Sequence, residues 1–357
     1  MRGEFDFRQF KVCLASLLLL LSFAFVVQSQ TSTQQRPRRA GEAKPKATPT
    51  PTPQNQLPVN DDEVVRVETN LTNVLLTAVD KDKRYVTTLN REDLRIYEND
   101  KLQEIFTFQR ETDLPLSIAV VIDTSKSQQI TLPEEKNAAF TFLDSVMRPN
   151  KDIAAVVSFT GISTIEQSLT NDKRLLRRAI DRVKVILPPE NAEAGDEDFK
   201  KNPIGYSGIW DSIWETVNKV MVQTPERTRR AIILLSDGDD TSSQVDRDEA
   251  ADLALKNNVI IYTICIGDDD YYPVKEKNLR KLAERTGGKS FRPKVEGDVL
   301  IAFKEIEEEL RSQYLVAYSP TNTSRDGSYR RIRIEIVNPE MKKQKLKLFF
   351  RQGYFAK

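Results

Sequence analysis

The segment LSIAVVIDTSKS, residues 116–127, contains five consecutive apolar residues, 118–122, followed by oxygen-bearing side chains at Asp123, Ser125 and Ser127. The apolar run ends at Asp123, and Ser125 and Ser127 follow at intervals of two residues. Uninterrupted apolar runs of this kind are typical of parallel strands that are covered on both faces. We therefore predict a buried central strand, followed by a loop in which one carboxylate and two hydroxyls lie close together.

Apolar runs and amphipathic segments alternate from residue 116 to about residue 312. The strand-like runs are LSIAVVID, DIAAVVSFT, STIEQSLT, RAIILLSDG and VIIYTICIG, and the last amphipathic segment is VLIAFKEIEEELRSQ. This order predicts an α/β domain at residues 113–313, with a Rossmann-like, doubly wound, mostly parallel sheet wrapped by helices. STIEQSLT alternates polar and apolar residues, so we predict an antiparallel edge strand there. Thr131, with Glu134 three residues later, predicts a capping box at the start of the first helix.

Both flanks of this domain are rich in β patterns. Residues 60–112 contain VVRVETNLTNVLLTAVD, a turn at KDKRY and a hairpin pattern in RIYENDKLQEIFTFQRE. Residues 314–357 contain YLVAYSP, RRIRIEIV and KLKLFFRQGYF, with no helical pattern. Neither flank is long enough to build much of a core alone. We therefore predict that 314–357 pairs with 60–112 in one small β-sandwich-like domain, into which the α/β domain is inserted.

The N-terminus has the pattern of a targeting signal. Basic residues precede an uncharged stretch, residues 12–27, and Ser29 supplies a small residue for cleavage. The stretch is short for a bilayer span, which needs about 20 residues, so we predict a signal peptide at residues 1–29, with an uncleaved membrane anchor as the alternative. Residues 30–59 are dominated by Pro, Thr, Gln and charge, which predicts a disordered linker. The protein is then expected to be secreted or to lie in the periplasm or cell envelope, with a membrane contact only through an uncleaved N-terminal segment.

Composition excludes several classes of function. The chain of 357 residues contains no histidine, and its 54 basic and 53 acidic side chains leave a net charge of +1. The near-neutral balance argues against nucleic-acid binding. Without imidazole, His-activated nucleophiles and His-based zinc sites are excluded. Cys265 lies in the apolar run VIIYTICIG and is predicted to be a buried apolar residue, so any bound metal must be held by oxygen.

A cation site is predicted at one edge of the sheet, because the carboxyl ends of parallel strands meet there. Asp237 ends the run RAIILLSDG and should therefore approach Asp123, Ser125 and Ser127. Two carboxylates that are partly buried at one edge repel each other, and a divalent cation relieves that repulsion. Hard oxygen ligands favour Mg²⁺ or Mn²⁺, with Ca²⁺ as a further candidate. The alternative is that Asp123 and Ser127 only cap the helix that follows.

The coordination of such a cation predicts how the site is used. Mg²⁺ takes about six ligands in octahedral geometry, and the hydroxyls and carboxylates named above do not fill all of them. The natural occupant of the open position is an Asp or Glu carboxylate of a partner protein. Asp239 and Asp240 extend the acidic edge, either as outer-shell groups or as part of a solvated loop. Asp268, Asp269 and Asp270 form either a second cation site or an exposed acidic turn, and PPENAEAGDEDFKKNP is interpreted as an insertion over the site.

These residues resemble a known family. Asp123-Thr124-Ser125-Lys126-Ser127 matches the DxSxS motif of von Willebrand factor type A (VWA) domains, and Asp237 in LLSDG stands where that family has its second aspartate. The resemblance covers about residues 116–313 and implies a metal-ion-dependent adhesion site (MIDAS). It also implies a further hydroxyl from a loop before the third helix, where Ser207 in GYSGIWDSIW replaces the usual threonine. The whole layout is similar to secreted bacterial, acidobacterial-type VWFA-related proteins.

These residues leave three functions to compare. The leading hypothesis is an adhesion-type, metal-dependent protein-binding module, and the alternative is a scaffold or assembly factor with a stabilising metal. The third is a phosphotransfer enzyme, which needs a second Asp two residues after the first, where this chain has Ser125. We therefore predict no catalysis and no small-molecule substrate.

Overall fold

The computed structural model describes residues 71–110, 113–187, 205–225, 227–267, 273–295 and 297–357. All of them belong to one compact unit of the chain, Arg66–Lys357. The predicted signal peptide and linker, the run PPENAEAGDEDFKKNP and the three aspartates at 268–270 lie outside the described residues. None of the helices described here combines the length and the apolar character that crossing a membrane requires.

The centre of the fold is a six-stranded sheet with the order β10-β9-β8-β5-β6-β7. Neighbouring strands are parallel throughout, except that β7 pairs antiparallel with β6 at the edge. The predicted mostly parallel sheet is confirmed, and so is the antiparallel edge strand in STIEQSLT. The bounds are β5 (Leu116–Asp123), β6 (Ile153–Phe159), β7 (Ser163–Thr170), β8 (Arg229–Ser236), β9 (Val259–Cys265) and β10 (Ser290–Phe291).

Helices cover both faces of this sheet, which explains why the central strands are mainly apolar. Every residue of β5 is buried. Ile118 and Val120 point into the core under α1, α2 and α6, whereas Ala119 and Val121 point into the core under α3, α4 and α5. The bounds are α1 (Leu132–Val146), α2 (Lys173–Arg182), α3 (Ile209–Lys219), α4 (Arg247–Lys256), α5 (Glu276–Thr286) and α6 (Asp298–Ser312).

The start of α1 differs from its prediction. Thr131 precedes the helix, but its backbone is already in the α region and its side chain caps no amide. The Thr131 hydroxyl instead donates to the Glu135 carboxylate at 2.7 Å and bonds Gln128 Oε1 at 3.1 Å. The predicted capping box is therefore wrong, because a buried acceptor one turn further along the helix takes the hydroxyl.

The flanking strands form two four-stranded sheets, β13-β1-β11-β4 and β14-β12-β2-β3. Strand β1 lies between two strands of the C-terminal flank, and β2 pairs with β12 from the same flank. Both sheets contribute to one apolar core that includes Leu76, Ile96, Val316 and Ile334. The predicted β-sandwich around an inserted α/β domain is thereby confirmed. The bounds are β1 (Thr72–Val79), β2 (Leu94–Glu98), β3 (Lys101–Gln103), β4 (Ile105–Arg110), β11 (Tyr314–Tyr318), β12 (Tyr329–Ile336), β13 (Lys347–Phe350) and β14 (Gly353–Phe355).

One short helix, α7 (Pro339–Lys343), contradicts the prediction that the C-terminal flank has none. Its start carries a local signal, since the Asn338 side chain accepts the Glu340 amide and Pro339 occupies the first helical turn. The helix is only five residues long, so no apolar periodicity marks it.

Candidate metal centre

Asp123 occupies the carboxyl end of the central strand β5 and is fully buried. Its Oδ1 accepts the Ser125 amide at 2.9 Å. Its Oδ2 accepts the Ser236 hydroxyl at 2.7 Å and the Ser207 hydroxyl at 3.0 Å. One carboxylate thus gathers groups from the loop after β5, from the end of β8 and from the loop before α3.

Ser125 and Ser127 lie side by side in the turn that follows β5. Ser125 is extended, and the 3₁₀ turn Lys126–Gln128 brings the two hydroxyl oxygens to 3.2 Å from each other. Gln128 is buried behind them, and its amide lies 3.4 Å from the Ser127 hydroxyl. The spacing of two residues therefore places both hydroxyls on the same side of the loop.

Asp237 reaches the same place because β8 is the parallel neighbour of β5. Ile122 is opposite Leu235 in the register, so the two strands end level with each other. Asp237 is buried beside the Ser127 hydroxyl. Its Oδ1 accepts the Asp239 amide at 2.9 Å. The two carboxylates expected from the sequence are thus linked through hydroxyls in one cluster.

Ser207 reaches Asp123 because backbone bonds hold its loop on both sides. The Ser207 amide donates to the Thr241 hydroxyl at 2.9 Å, and the Ser207 carbonyl accepts the Thr241 amide at 2.8 Å. The next amide, that of Gly208, donates to the Thr160 carbonyl at 2.8 Å. A Cβ at Gly208 would lie 3.2 Å from that same carbonyl oxygen, so this close approach favours glycine.

Asp239 and Asp240 have other partners in the structure. Asp239 Oδ1 lies 2.6 Å from the Lys275 ammonium, and this ion pair is largely exposed. Asp240 Oδ1 accepts the Ile209 amide at 2.7 Å and the Ser243 hydroxyl at 2.5 Å, so it satisfies the first turn of α3. The Asp240 carboxylate therefore fixes the helix that follows Ser207.

Electrostatics make the cluster costly in the absence of a cation. Burial and the charge of Asp237 raise the pKa of Asp123 to about 6, despite hydrogen bonds from Ser125 and Ser236. Burial likewise raises the pKa of Asp237, and the Ser127 hydroxyl opposes that rise. Two buried carboxylates in one cluster with several hydroxyls favour a bound cation, which would neutralise both.

The donor set fits a hard divalent cation. The Asp123 cluster, meaning Asp123, Ser125, Ser127, Ser207, Ser236 and Asp237, offers carboxylate and hydroxyl oxygens only. Such oxygens suit Mg²⁺, Mn²⁺ and Ca²⁺. Within the described ranges, no group of three or more His, Cys, Asp or Glu side chains is arranged to hold a metal. The cluster differs from such groups in combining two carboxylates with several hydroxyls.

Some groups around the cluster were not predicted from the sequence. Ser236 was within reach of prediction, because it lies opposite Asp123 once β5 and β8 are aligned as parallel neighbours. Glu135 carried no such signal, since it lies on α1 as a buried carboxylate whose Oε2 has no hydrogen-bond partner among the described residues. Burial raises the pKa of Glu135 to about 8, although the Thr131 hydroxyl opposes the shift. The loop of Thr241, which holds Ser207, was likewise not apparent from spacing.

Comparison with known proteins agrees with this geometry. A family model described as von Willebrand factor type A domain matches residues 117–300, just over half of the chain. The chain belongs to the von Willebrand factor type A family. The resemblance carried by DTSKS and LLSDG is thereby confirmed, and VWA domains are typically metal-dependent protein-interaction modules.

Several solved VWA-type structures are similar to this chain, each at low identity. A von Willebrand factor type A protein from Catenulispora acidiphila is 12% identical, with a TM-score of 0.46, over 80% of this chain and 72% of that one. The conserved hypothetical protein BatB from Bacteroides thetaiotaomicron is 16% identical, with a TM-score of 0.43, over 55% of this chain and 100% of that one. Proximal thread matrix protein 1 from the mussel byssus, with zinc in its MIDAS motif, is 18% identical, with a TM-score of 0.45, over 59% of this chain and 48% of that one. No curated protein matches the sequence.

Proposed function

We propose that this VWA protein binds a divalent cation at the Asp123 cluster and uses it to dock a carboxylate of a partner protein. The observation that carries the proposal is the environment of Asp123. This buried carboxylate accepts hydrogen bonds from hydroxyls and an amide, and Asp237 repels it. A cation is the partner that satisfies both carboxylates at once.

Five residues would hold the cation: Asp123, Ser125, Ser127, Ser207 and Asp237. When bound, the metal would supply a positive charge at the sheet edge to which an acidic side chain is attracted. The protein residues fix the hydroxyls in place, through the 3₁₀ turn after Ser125 and the backbone bonds on both sides of Ser207. Mg²⁺ or Mn²⁺ suits these ligands best, and Ca²⁺ is the larger alternative.

The chemistry favours binding over catalysis. The chain has no histidine to act as a general base, and the position two residues after Asp123 is a serine. Our proposal is therefore an adhesion-type module of the cell envelope or the secreted fraction, without an enzymatic activity. If hydrolysis of p-nitrophenyl phosphate in Mg²⁺ depended on Asp123, this part of the proposal would be overturned.

The cation is tested first, by titrating EDTA-treated, dialysed protein with MgCl₂, MnCl₂, CaCl₂ and ZnCl₂ in a calorimeter. We expect single-site binding that Asp123→Asn abolishes. Asp113→Asn is the matched control, because this aspartate precedes β5 but its side chain is fully exposed. Equal affinities for the wild type and Asp123→Asn would contradict the assignment of the site.

The partner is tested by capture from a cell-envelope extract on immobilised protein, with and without EDTA. We expect a partner that EDTA and Asp123→Asn both release and that Asp113→Asn retains. Replacing the partner's contacting Asp or Glu by the corresponding amide should also release it. Cation binding that raises the melting temperature without any EDTA-sensitive partner would instead support the scaffold alternative.

A further inference from the structure

A second candidate site lies at the opposite edge of the central sheet from the Asp123 cluster. A cavity of about 860 Å³ opens at the amino ends of β8 and β9, where Arg229 and Val259 line it. Its other wall belongs to the β-sandwich, with Asn73 of β1, Leu315 of β11 and the C-terminal residues. The volume falls within the range of about 300–1,000 Å³ that is typical of small-molecule sites. We call this cavity the basic cleft.

The charged side chains that line the basic cleft are all basic. Eight of the described side chains that line it are Arg or Lys, and none of those lining side chains is Asp or Glu. The chain as a whole has 54 basic and 53 acidic residues, so a lining of this size with a single sign of charge departs strongly from the average. A cleft with one sign of charge and low-dielectric walls concentrates ions of the opposite sign.

Arg351 lines the basic cleft, and its contacts are with neutral groups. Its guanidinium bonds the Asn258 Oδ1 at 2.8 Å and the Asn73 carbonyl at 2.6 Å. The buried Nε has no hydrogen-bond partner among the described residues. Desolvation lowers the pKa of Arg351, which is the shift expected of a cation that lacks an anionic partner.

Two lysines at the same rim are also without a carboxylate partner in the described part of the chain. The Lys256 ammonium lies 4.7 Å from the centre of the Phe355 ring. Lys357 donates to the Lys256 carbonyl at the C-terminal end of α4. By contrast, Arg330 in the same cleft is neutralised by an ion pair with Glu98, with 3.2 Å between Nη1 and Oε1. Arg351, Lys256 and Lys357 are thus three cations of the cleft that no carboxylate among the described residues neutralises.

Apolar side chains complete the lining and restrict the kind of anion that fits. Leu75, Leu315 and Tyr354 face the cleft together with the cations. An ion without an apolar part would leave these walls in contact with water. A ligand that joins an oxyanion to an apolar body suits both the cations and the apolar walls. The planar guanidinium binds carboxylate or phosphate oxygens through paired hydrogen bonds, and the apolar body covers the walls.

We propose that the basic cleft binds an amphipathic organic anion, with its carboxylate or phosphate on Arg351 and its apolar body against Leu75 and Leu315. This site is independent of the cation at the Asp123 cluster, because it contains no acidic ligand and lies at the other edge of the sheet. Binding there depends on salt and not on EDTA.

The experiment uses two fluorescent probes that differ by one charged group. 8-Anilinonaphthalene-1-sulfonate carries an anion on an apolar body, and N-phenyl-1-naphthylamine is the same body without the sulfonate. We expect the full chain to bind the anionic probe at least about tenfold more tightly than the neutral one, as charge-assisted hydrogen bonds require. Raising the NaCl concentration should weaken the binding of the anionic probe only, and EDTA should change the binding of neither probe.

Three variants locate the binding. Arg351→Gln should weaken binding of the anionic probe by about tenfold, and Lys256→Gln should weaken it by about threefold. Neither variant should change the affinity for the neutral probe. Lys281→Gln removes the same charge from an exposed position on α5 outside the cleft and should have no effect. Since Lys256 is exposed, its variant keeps the test decisive even if Arg351→Gln fails to fold. Equal affinities for the two probes, or equal losses with Lys281→Gln and Lys256→Gln, would overturn the proposal.

Competition then identifies the head group. Undecanoate and decyl phosphate have alkyl chains of the same length, and each should displace the anionic probe from the wild type. The tighter competitor shows whether the cleft prefers a carboxylate or a phosphate. Failure of both to displace the probe contradicts the proposal, whatever the outcome at the Asp123 cluster.

Discussion

Two buried aspartates at opposite edges of the central sheet show how the surroundings of a carboxylate decide its role. Asp152 precedes β6 and is fully buried, as is Asp123 at the end of β5. Asp152 accepts the Leu116 amide at 2.8 Å, the Arg148 amide at 2.8 Å and the Arg148 guanidinium at 2.8 Å. Its negative charge is therefore satisfied from within the chain.

The pKa values of the two aspartates move in opposite directions. Burial alone would raise the pKa of Asp152, but hydrogen bonds from Arg148 and Leu116 outweigh it and hold the pKa below its usual range. Burial and Asp237 raise the pKa of Asp123 to about 6. Equal burial thus gives one carboxylate whose charge is balanced by Arg148 and one whose charge is opposed by Asp237.

The largest effect is expected from Asp152→Asn. The change leaves the Arg148 guanidinium without its carboxylate and two amides with a weaker acceptor, so we expect a loss of about 3 kcal/mol in the free energy of unfolding. Urea denaturation monitored by circular dichroism measures it. Asp144→Asn is the control, because its ion pair with Lys173 is exposed and should contribute little.

Asp152 should also produce an acid limb in the pH dependence of the free energy of unfolding, meaning a loss of stability at low pH. Since the folded pKa of Asp152 lies below the unfolded value of 3.8, its contribution is present above that value and is lost as the pH falls through the folded pKa. The stability of Asp152→Asn should therefore fall less steeply than that of the wild type below about pH 4. Parallel curves for the two proteins would show that Asp152 is not the origin of this limb.

At the other edge, the cation should stabilise the fold by a smaller amount. With a free Mg²⁺ concentration of 100 times the dissociation constant, we expect a gain of about 2.7 kcal/mol in the free energy of unfolding. Asp123→Asn should abolish this gain. In EDTA the same variant should be at least as stable as the wild type, because it removes the repulsion between Asp123 and Asp237. A variant that is strongly destabilised in EDTA would show that Asp123 is structural, as Asp152 is.

These two edges of the sheet differ in how far the sequence predicts them. The apolar run of β5 and the parallel alignment of β8 place Asp123, Ser125 and Asp237 at one edge, so that part of the site follows from strand patterns alone. The register that puts Ser236 opposite Asp123 was equally accessible from the sequence. By contrast, the Asp152–Arg148 pair depends on a turn whose geometry no periodicity reveals.

The features that escaped prediction share a physical cause. The capping box at Thr131 failed because Gln128 and Glu135 compete for the same hydroxyl, and neither contact is encoded in the spacing rule. The basic cleft collects cations from separate parts of the chain, among them Lys256 and Arg351. Their clustering arises from tertiary packing of the sandwich against the amino ends of β8 and β9, and it leaves no local signal in the sequence.

A smaller effect is expected from Ser207→Thr, which restores the residue type that the VWA resemblance implies. The added methyl restricts the side-chain rotamer, so the hydroxyl loses less conformational entropy when it binds the cation. We expect Mg²⁺ to bind about threefold more tightly, a change of about 0.7 kcal/mol, with calorimetry as the measurement. Ser207→Ala is the matched variant and should weaken binding. If both substitutions left the affinity unchanged, Ser207 would serve only as a donor to Asp123 and not as a metal ligand.

The smallest effect distinguishes Asp237 from its neighbour Asp239. Asp239 pairs with Lys275 in an exposed ion pair, so Asp239→Asn should change the unfolding free energy by less than about 0.5 kcal/mol and the Mg²⁺ affinity by less than about threefold. Asp237→Asn should reduce the affinity far more, because this carboxylate is buried beside the Ser127 hydroxyl. A tenfold loss with Asp239→Asn would instead mean that this carboxylate acts on the cation through its outer shell. In that case the acidic edge would extend past Asp237, and Lys275 would compete with the metal for the Asp239 carboxylate.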